Sequence, residues 1–216
     1  MKNHFKTYNM KNTIALLFLS LVIACNESPK KEGVSKTDTV QQVSLEKEEN
    51  NAMTSGDYSS LLTDYKCDMR ISEVAEVLKV PESNLSQTDN SSENKCSFEL
   101  IGFGKNTLGG DSHISWSSAP SSKKQNKKEI ASYLERKEDG IKIMGMDIEL
   151  AETGDCYIAQ QPAHGRIIIY NENYDHAFLI HYGIKSANNN RTKEQHEELR
   201  LKMTDLANYL LQKHRK

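Results

Sequence analysis

The sequence lacks a hydrophobic run long enough to cross a membrane. Its longest apolar run, TIALLFLSLVIA at residues 13–24, has 12 residues, whereas a transmembrane helix needs about 20. The segment before this run contains Lys2, Lys6 and Lys11 and no acidic residue. A basic segment followed by a short apolar run is typical of a secretory signal peptide. We therefore predict that residues 1–24 are a leader that is removed.

The sequence also lacks an excess of positive charge. The whole chain carries a formal net charge of -2, and residues 57–216 contain 21 Lys and Arg against 24 Asp and Glu. Binding to nucleic acid depends on clustered basic residues that neutralise phosphates, so we expect no nucleic-acid partner. The basic cluster in the domain consists of Lys123, Lys124, Lys127 and Lys128. We interpret it as the exposed start of a helix in preference to a binding patch.

The leader ends in Val22-Ile23-Ala24-Cys25, which resembles the lipobox of bacterial lipoproteins. The resemblance implies cleavage before Cys25 and acylation of its thiol with fatty acids such as palmitate. Each buried methylene contributes ~0.8 kcal/mol, so two or more acyl chains hold a protein firmly on a membrane. The resemblance also implies a cell-envelope protein with the membrane as a partner, and Asn26 in place of aspartate favours the outer membrane.

Bulky apolar residues are scarce between the leader and the rest of the chain. Residues 26–56 are mostly charged and polar, and such a segment cannot bury enough apolar surface to offset its ordering entropy. We predict that residues 25–56 form a lipidated cysteine followed by a disordered tether of roughly 30 Å. Residues 57–216 are long enough to fold as a single domain.

Hydrophobic spacing predicts three helices in this domain. The first covers residues 73–80 with Ser72 as its N-cap, and the second covers residues 127–139. The third begins at a capping box formed by Thr192 and Gln195. Its apolar stripe, which we interpret as core, consists of Leu199, Met203, Leu206 and Leu210.

Six segments of alternating or continuous apolar residues are typical of strands. They are residues 96–103, 113–118, 147–152, 155–160, 166–170 and 177–182. The order helix, two strands, helix, four strands, helix predicts an α+β domain, with a mostly antiparallel sheet and helices packed on it.

Cysteine is scarce, with four in the chain, and three remain once Cys25 is assigned to lipid. An exported domain lies in an oxidising compartment, so we expect one disulfide and one remaining thiol. We favour a bond between Cys67 and Cys96, because they flank the first helix and closing this loop would contribute about 3.6 kcal/mol. Cys156 lies in an apolar strand pattern, which is typical of a buried side chain.

The segments LLTDYKCDMRISEVAEVLKV, CSFEL and GDCYIAQQPAHGRIIIYNENYDHAFLIHYG, together with the last amphipathic helix, cover about 57–213. This arrangement resembles small cell-envelope lipoproteins of uncharacterised function, in which a cysteine before a helix pairs with one on the next strand. The resemblance implies an α/β sandwich similar to the Mog1/PsbP-like fold, with no assigned activity.

Three motifs suggest chemistry that the surrounding sequence does not complete. GFGKNTLGG at residues 102–110 lacks the first glycine and the Ser or Thr of a phosphate loop, so we predict a hairpin loop. Ser112 stands in a Gly-Asp-Ser motif that begins one esterase family, but the sequence lacks the Asp-x-x-His that supplies the base there. The histidines do not have metal-ligand spacing, and we expect no metal and no cofactor.

These observations predict a lipid-anchored cell-envelope protein with a non-catalytic binding or structural role, whose ligand the sequence does not identify. Two alternatives remain open at this point. One is a serine hydrolase that uses Ser112 with a histidine from elsewhere in the chain. The other is an envelope inhibitor or immunity lipoprotein that blocks another protein.

Overall fold

The computed structural model describes residues 55–141 and 143–216. The predicted leader, Cys25 and all of the predicted tether except Ser55 and Gly56 lie outside the described residues. In the part of the chain that is described, no helix has both the length and the apolar character needed to cross a membrane.

The described residues form four α-helices and eight β-strands. The helices are α1 (Ser59–Leu62), α2 (Ile71–Leu78), α3 (Lys123–Glu138) and α4 (Lys193–His214). The strands are β1 (Leu85–Gln87), β2 (Lys95–Asn106), β3 (Asp111–Pro120), β4 (Asp147–Leu150), β5 (Tyr157–Gln161), β6 (Arg166–Tyr170), β7 (His176–His181) and β8 (Asn188–Asn189).

All eight strands belong to one sheet. Seven of them lie side by side in the order β1-β2-β3-β7-β6-β5-β4, and β8 pairs with the end of β2. Each pair of neighbouring strands is antiparallel. The structure therefore confirms the predicted α+β fold with a mostly antiparallel sheet. The similarity to the Mog1/PsbP-like fold stays a prediction.

Helices α1, α2 and α4 cover one face of the sheet and bury the main core with it. The strand residues in this core include Phe98, Trp116, Ile169 and Phe178. The predicted stripe of α4 faces them, and its four side chains Leu199, Met203, Leu206 and Leu210 are fully buried. Burying one such side chain contributes about 1.5–3 kcal/mol, so this stripe is a large part of what holds α4 on the sheet.

Helix α3 covers only part of the opposite face. Ile130 and Tyr133 of α3 pack on side chains from β4 to β7, namely Ile148, Ala159, Ile168, Tyr170 and Ala177. This second hydrophobic cluster contains no residue of β2 or β3 among those that the structure describes. The main core therefore includes residues of β1, β2, β3, β5, β6 and β7, whereas the strand residues of the second cluster are confined to β4 to β7 on the opposite face.

The helix starts agree with prediction for α4 and differ for α2. The capping box of Thr192 and Gln195 is present at α4 and confirms the prediction. Helix α2 begins at Ile71 after Arg70, so the prediction that Ser72 is the N-cap was wrong. Ile71 packs against the main core, and this burial favours a helix that starts before Ser72.

Helix α3 begins four residues earlier than predicted, at Lys123. The Ser122 side chain caps it by accepting a hydrogen bond from the Gln125 backbone N–H. The buried Asn126 side chain anchors the first turn, because it donates to carbonyl oxygens of the loop before β7 and of its first residue. The basic cluster therefore lies in the first two turns of α3, where all four lysines are exposed.

Three short elements, α1, β1 and β8, were not predicted. They contain four, three and two residues, which is too few to show a helical or strand period in the sequence.

Cys67 and Cys96 form the predicted disulfide, with their Cα atoms 5.1 Å apart. It ties the segment before α2 to β2. Beside it, the Trp116 indole N–H donates to the Tyr65 hydroxyl at 2.8 Å. Cys156 is a free, fully buried cysteine, and burial raises the pKa of its thiol to about 12. Because the thiolate is the nucleophilic form, this residue is unreactive at neutral pH.

Candidate functional site

The part of the second sheet face that α3 leaves uncovered carries polar side chains from four adjacent strands. Alternation along each strand places them opposite the main core. We call this surface the polar face, and its members are Lys95, Ser97, Glu99, His113, Ser115, Ser117, His181 and Arg166. The solvated face of an antiparallel sheet is ordinarily polar, so polarity alone does not identify a binding site. The hydrogen bonds and burial of the individual side chains distinguish a binding site from an ordinary solvated surface.

One row of polar residues crosses five strands in register. Ser97 of β2 pairs with Ser115 of β3, Ser115 with His181 of β7, His181 with Arg166 of β6, and Arg166 with Gln161 of β5. Directly opposed residues have Cβ atoms about 5 Å apart. The fold therefore brings together side chains that are up to 84 positions apart in the sequence.

A chain of hydrogen bonds links Arg166 to two buried side chains. Its Nε donates to Gln161 Oε1, and Gln161 Nε2 donates to the hydroxyl of Tyr133 on α3. Gln161 and Tyr133 are 7% and 4% exposed. The two terminal nitrogens of Arg166 form no hydrogen bond or ion pair with any described residue. The guanidinium is thus positioned through its Nε–H, while the N–H donors of Nη1 and Nη2 remain available to a ligand.

The two histidines of the polar face lie in a positive environment. Burial lowers the pKa of His181, and the neighbouring charges of Arg166 and Lys95 lower that pKa further, with a contribution from His113. Burial also lowers the pKa of His113, and the charge of Lys95 adds to this effect while that of Glu99 opposes it. Both imidazoles are therefore mainly neutral at pH 7, chiefly because of burial, and the neighbouring positive charges that add to this effect would also attract an anion on this surface.

Ser115 lies at the centre of the row and is 5% exposed. Its hydroxyl makes no hydrogen bond with the described residues. Its neighbour Ser97 differs, because the Ser97 hydroxyl contacts Thr88 Oγ1 at 2.8 Å and His113 Nε2 at 2.6 Å. Ser115 Oγ is not among the buried side-chain atoms that lack a partner, so solvent reaches this hydroxyl, and it can offer a bound molecule both a donor and an acceptor.

Ser112, the candidate nucleophile, lies on the opposite side of β3 and is fully buried. Its Oγ is 2.7 Å from Phe103 O and 3.0 Å from Gly104 O, and it accepts a hydrogen bond from Arg191 Nη2 at 2.9 Å. No described histidine contacts this hydroxyl. These contacts occupy the serine as a structural group and do not supply the base that a nucleophile needs.

Arg191 is a buried cation at the junction of β2, β7 and α4. It is 4% exposed, and besides Ser112 it donates to the carbonyl oxygens of Phe103, Tyr182 and Gly183 at 2.7–3.0 Å. No described carboxylate pairs with it. Burial lowers the pKa of its guanidinium to about 10, so the group stays charged and is neutralised only by carbonyl dipoles.

A separate small cavity lies at the end of α3. Its volume is about 150 Å³, and Tyr133, Ile141, Ile143 and Met146 supply its apolar lining, with Lys137 and Asp147 at its edge. Lys137 and Asp147 form an ion pair at 2.9 Å. Ligand sites for drug-sized molecules are about 300–1,000 Å³, so this cavity is too small to hold one.

The other histidines that the structure describes do not assemble a metal centre. His176 and His181 lie five positions apart on β7 and therefore point to opposite faces of the sheet. Among the described residues, no group of three or more His, Cys, Asp or Glu side chains could hold a metal ion.

Comparison with known proteins does not assign the chain to a family. No family model matches it, and no curated protein and no solved structure matches it significantly.

Sequence patterns indicate Ser112 and the cysteines as candidate residues, but they do not indicate the polar face. A signal was present in strands β2 and β3, where Ser97, Glu99, His113, Ser115 and Ser117 alternate with apolar residues. Such alternation indicates a strand with one solvated face. It does not reveal which other strands lie beside that face.

Proposed function

We propose that the protein is a lipid-anchored protein of the cell envelope that binds a ligand at the polar face without catalysing a reaction. The lipobox at Cys25 and the short leader support the anchor and the location. The observation that carries the binding role is Arg166, whose guanidinium is oriented by buried Gln161 and Tyr133 while its terminal nitrogens have no partner among the described residues. A merely solvated arginine does not need such support.

The geometry of the polar face favours binding over catalysis. Ser97 and His113 make a contact of the kind found between a nucleophile and its base, at 2.6 Å. However, Ser97 is fully buried and its hydroxyl is shared with Thr88. A substrate carbonyl could not reach it within the 3–3.5 Å that attack requires without displacing the segment that covers it.

Site-specific photocrosslinking in the full, membrane-attached chain tests this proposal. A photoreactive residue is placed at Ser117, which is on the polar face, or at Leu201, which is 51% exposed on α4. We expect a discrete adduct from Ser117 and none from Leu201, and we expect Arg166→Gln to abolish the Ser117 adduct. Equal labelling at both positions, or no adduct at Ser117, would contradict the proposal.

The mass of the adduct separates two forms of the proposed role. A small-molecule adduct indicates a soluble or lipid-derived ligand. An adduct of protein mass supports the alternative of an envelope inhibitor or immunity lipoprotein.

A further inference from the structure

We propose that the polar face binds an amphiphile with an oxyanionic head, either a carboxylate or a phosphate. The head contacts the terminal nitrogens of Arg166, with Ser115 and His181 beside it, and the apolar part lies in the groove between α3 and β7. This inference rests on the proposed function, because it names the ligand class for the same surface.

The head group follows from the donors of Arg166. A guanidinium presents five N–H donors in a planar fork that matches the two oxygens of a carboxylate or phosphate. The Nε–H of Arg166 is already used by Gln161, which leaves the four N–H donors of the terminal nitrogens. No described carboxylate competes for them, because none forms an ion pair with Arg166.

The groups around Arg166 favour a negative charge. His181 lies directly opposite it across β6 and β7, and the charges of Arg166 and Lys95 act together on this imidazole. Among the residues of the polar face, the one carboxylate is that of Glu99, which is paired with His113 and not with Arg166 or His181. Ser115 adds a hydroxyl that can donate to an anionic oxygen.

The apolar part follows from the groove that begins at Arg166. The groove has a volume of about 220 Å³, and its floor consists of Ile168, Leu179, Ala177 and Ala119. The groove runs along β7 from the position opposite Arg166 to Ala177. This distance is about four residues, or roughly 13 Å. Gln125 and Glu129 of α3 form its wall. Since Glu129 repels an anion, a ligand is oriented with its charge at Arg166 and its apolar end toward Ala119.

Saturation-transfer NMR on the full chain tests the ligand class with three soluble probes of equal chain length. They are hexanoate, hexyl phosphate and the neutral hexanol. We expect the anionic probes to bind and hexanol to bind at least ~10-fold more weakly, because the charge-assisted contact is lost. The tighter of the two anions identifies whether the natural head is a carboxylate or a phosphate.

The matched variants are Arg166→Gln and Arg70→Gln. Arg70 is exposed and lies at the start of α2, outside the polar face. We expect Arg166→Gln to weaken binding of the anionic probes ~10-fold or more and Arg70→Gln to leave it unchanged. Leu179→Ala should weaken hexanoate while leaving acetate unaffected, and an unchanged melting temperature in each variant shows that the fold is retained.

Three results would overturn the inference: hexanol binding as tightly as hexanoate, anion binding that survives Arg166→Gln, or no binding of any of the three probes. If a Ser117 adduct nevertheless forms in the crosslinking experiment, the polar face binds a ligand of another class and the proposed function stands. If no adduct forms either, both are rejected.

Discussion

Replacing Arg191 by methionine is expected to lower the free energy of unfolding by about 3 kcal/mol. Methionine fills most of the same volume, so the loss measures the hydrogen bonds that the guanidinium makes. Without it, the buried Tyr182 carbonyl oxygen and the part-buried Gly183 carbonyl oxygen lose a donor, and Ser112 loses the group that donates to its hydroxyl. Chemical denaturation followed by circular dichroism measures the change.

The control for this substitution is Lys193→Met, which removes an exposed cation two residues further along the chain. We expect that variant to stay within ±0.5 kcal/mol of the native protein. Replacing buried charges by apolar side chains is nearly neutral in some proteins. If Arg191→Met lowers the free energy of unfolding by less than about 1 kcal/mol, replacement of this buried charge is nearly neutral here too. That result would contradict the stabilising role of the Arg191 hydrogen bonds.

Removing the disulfide is expected to lower the free energy of unfolding by about 3.6 kcal/mol, because the bond closes a loop of about 30 residues in the unfolded chain. The variant is Cys67→Ala combined with Cys96→Ala. The two cysteines are 29 positions apart, and Cys96 is fully buried beside Tyr65. Urea denaturation of the oxidised native protein and of the double variant gives the difference.

A reducing agent supplies the internal control for this prediction. It should bring the native protein to nearly the stability of the double variant and leave the variant itself unchanged. Since Cys156 is free and buried, it contributes to neither difference. Equal stability of the oxidised native protein and the variant would show that the bond does not constrain the unfolded chain.

The elements that the sequence predicts best are those that local chemistry specifies. The start of α4 is an example, because Thr192 and Gln195 cap it through contacts three residues apart. The start of α3 could not be found in this way. Lysines in the first turns oppose the helix dipole, and the helix begins there because Asn126 is held by the distant carbonyls of Asn171, Tyr174 and His176.

The polar face could not be predicted, because it depends on which strands become neighbours. Ser115 and His181 are 66 positions apart and meet through the pairing of β3 with β7. Arg166 reaches the same row through β6. The support of its guanidinium by Tyr133 depends in addition on the packing of α3 against the sheet. Pairings of this kind follow from burial of the whole core and leave no local pattern.

The buried Arg191 also illustrates how a sequence motif can mislead. Gly104, Asp111 and Ser112 belong to the glycine-rich segment that resembles a phosphate loop and an esterase start. In the structure, Gly104 has φ +86° and a Cβ there would lie 2.9 Å from the Arg191 backbone N. Gly104 is thus explained by the lack of space for a side chain beside Arg191, and Ser112 by the hydrogen bond that it accepts from Arg191.

Intact-mass analysis of the protein isolated from its own membranes tests the central claim most directly. We expect the mature chain to begin at Cys25, to lack residues 1–24, and to carry the added mass of a diacylglyceryl group or of a triacylated amino terminus. A mass that retains the leader, or one that corresponds to an unmodified Cys25 thiol, would contradict the proposal that this domain binds its ligand as a lipid-anchored protein of the envelope.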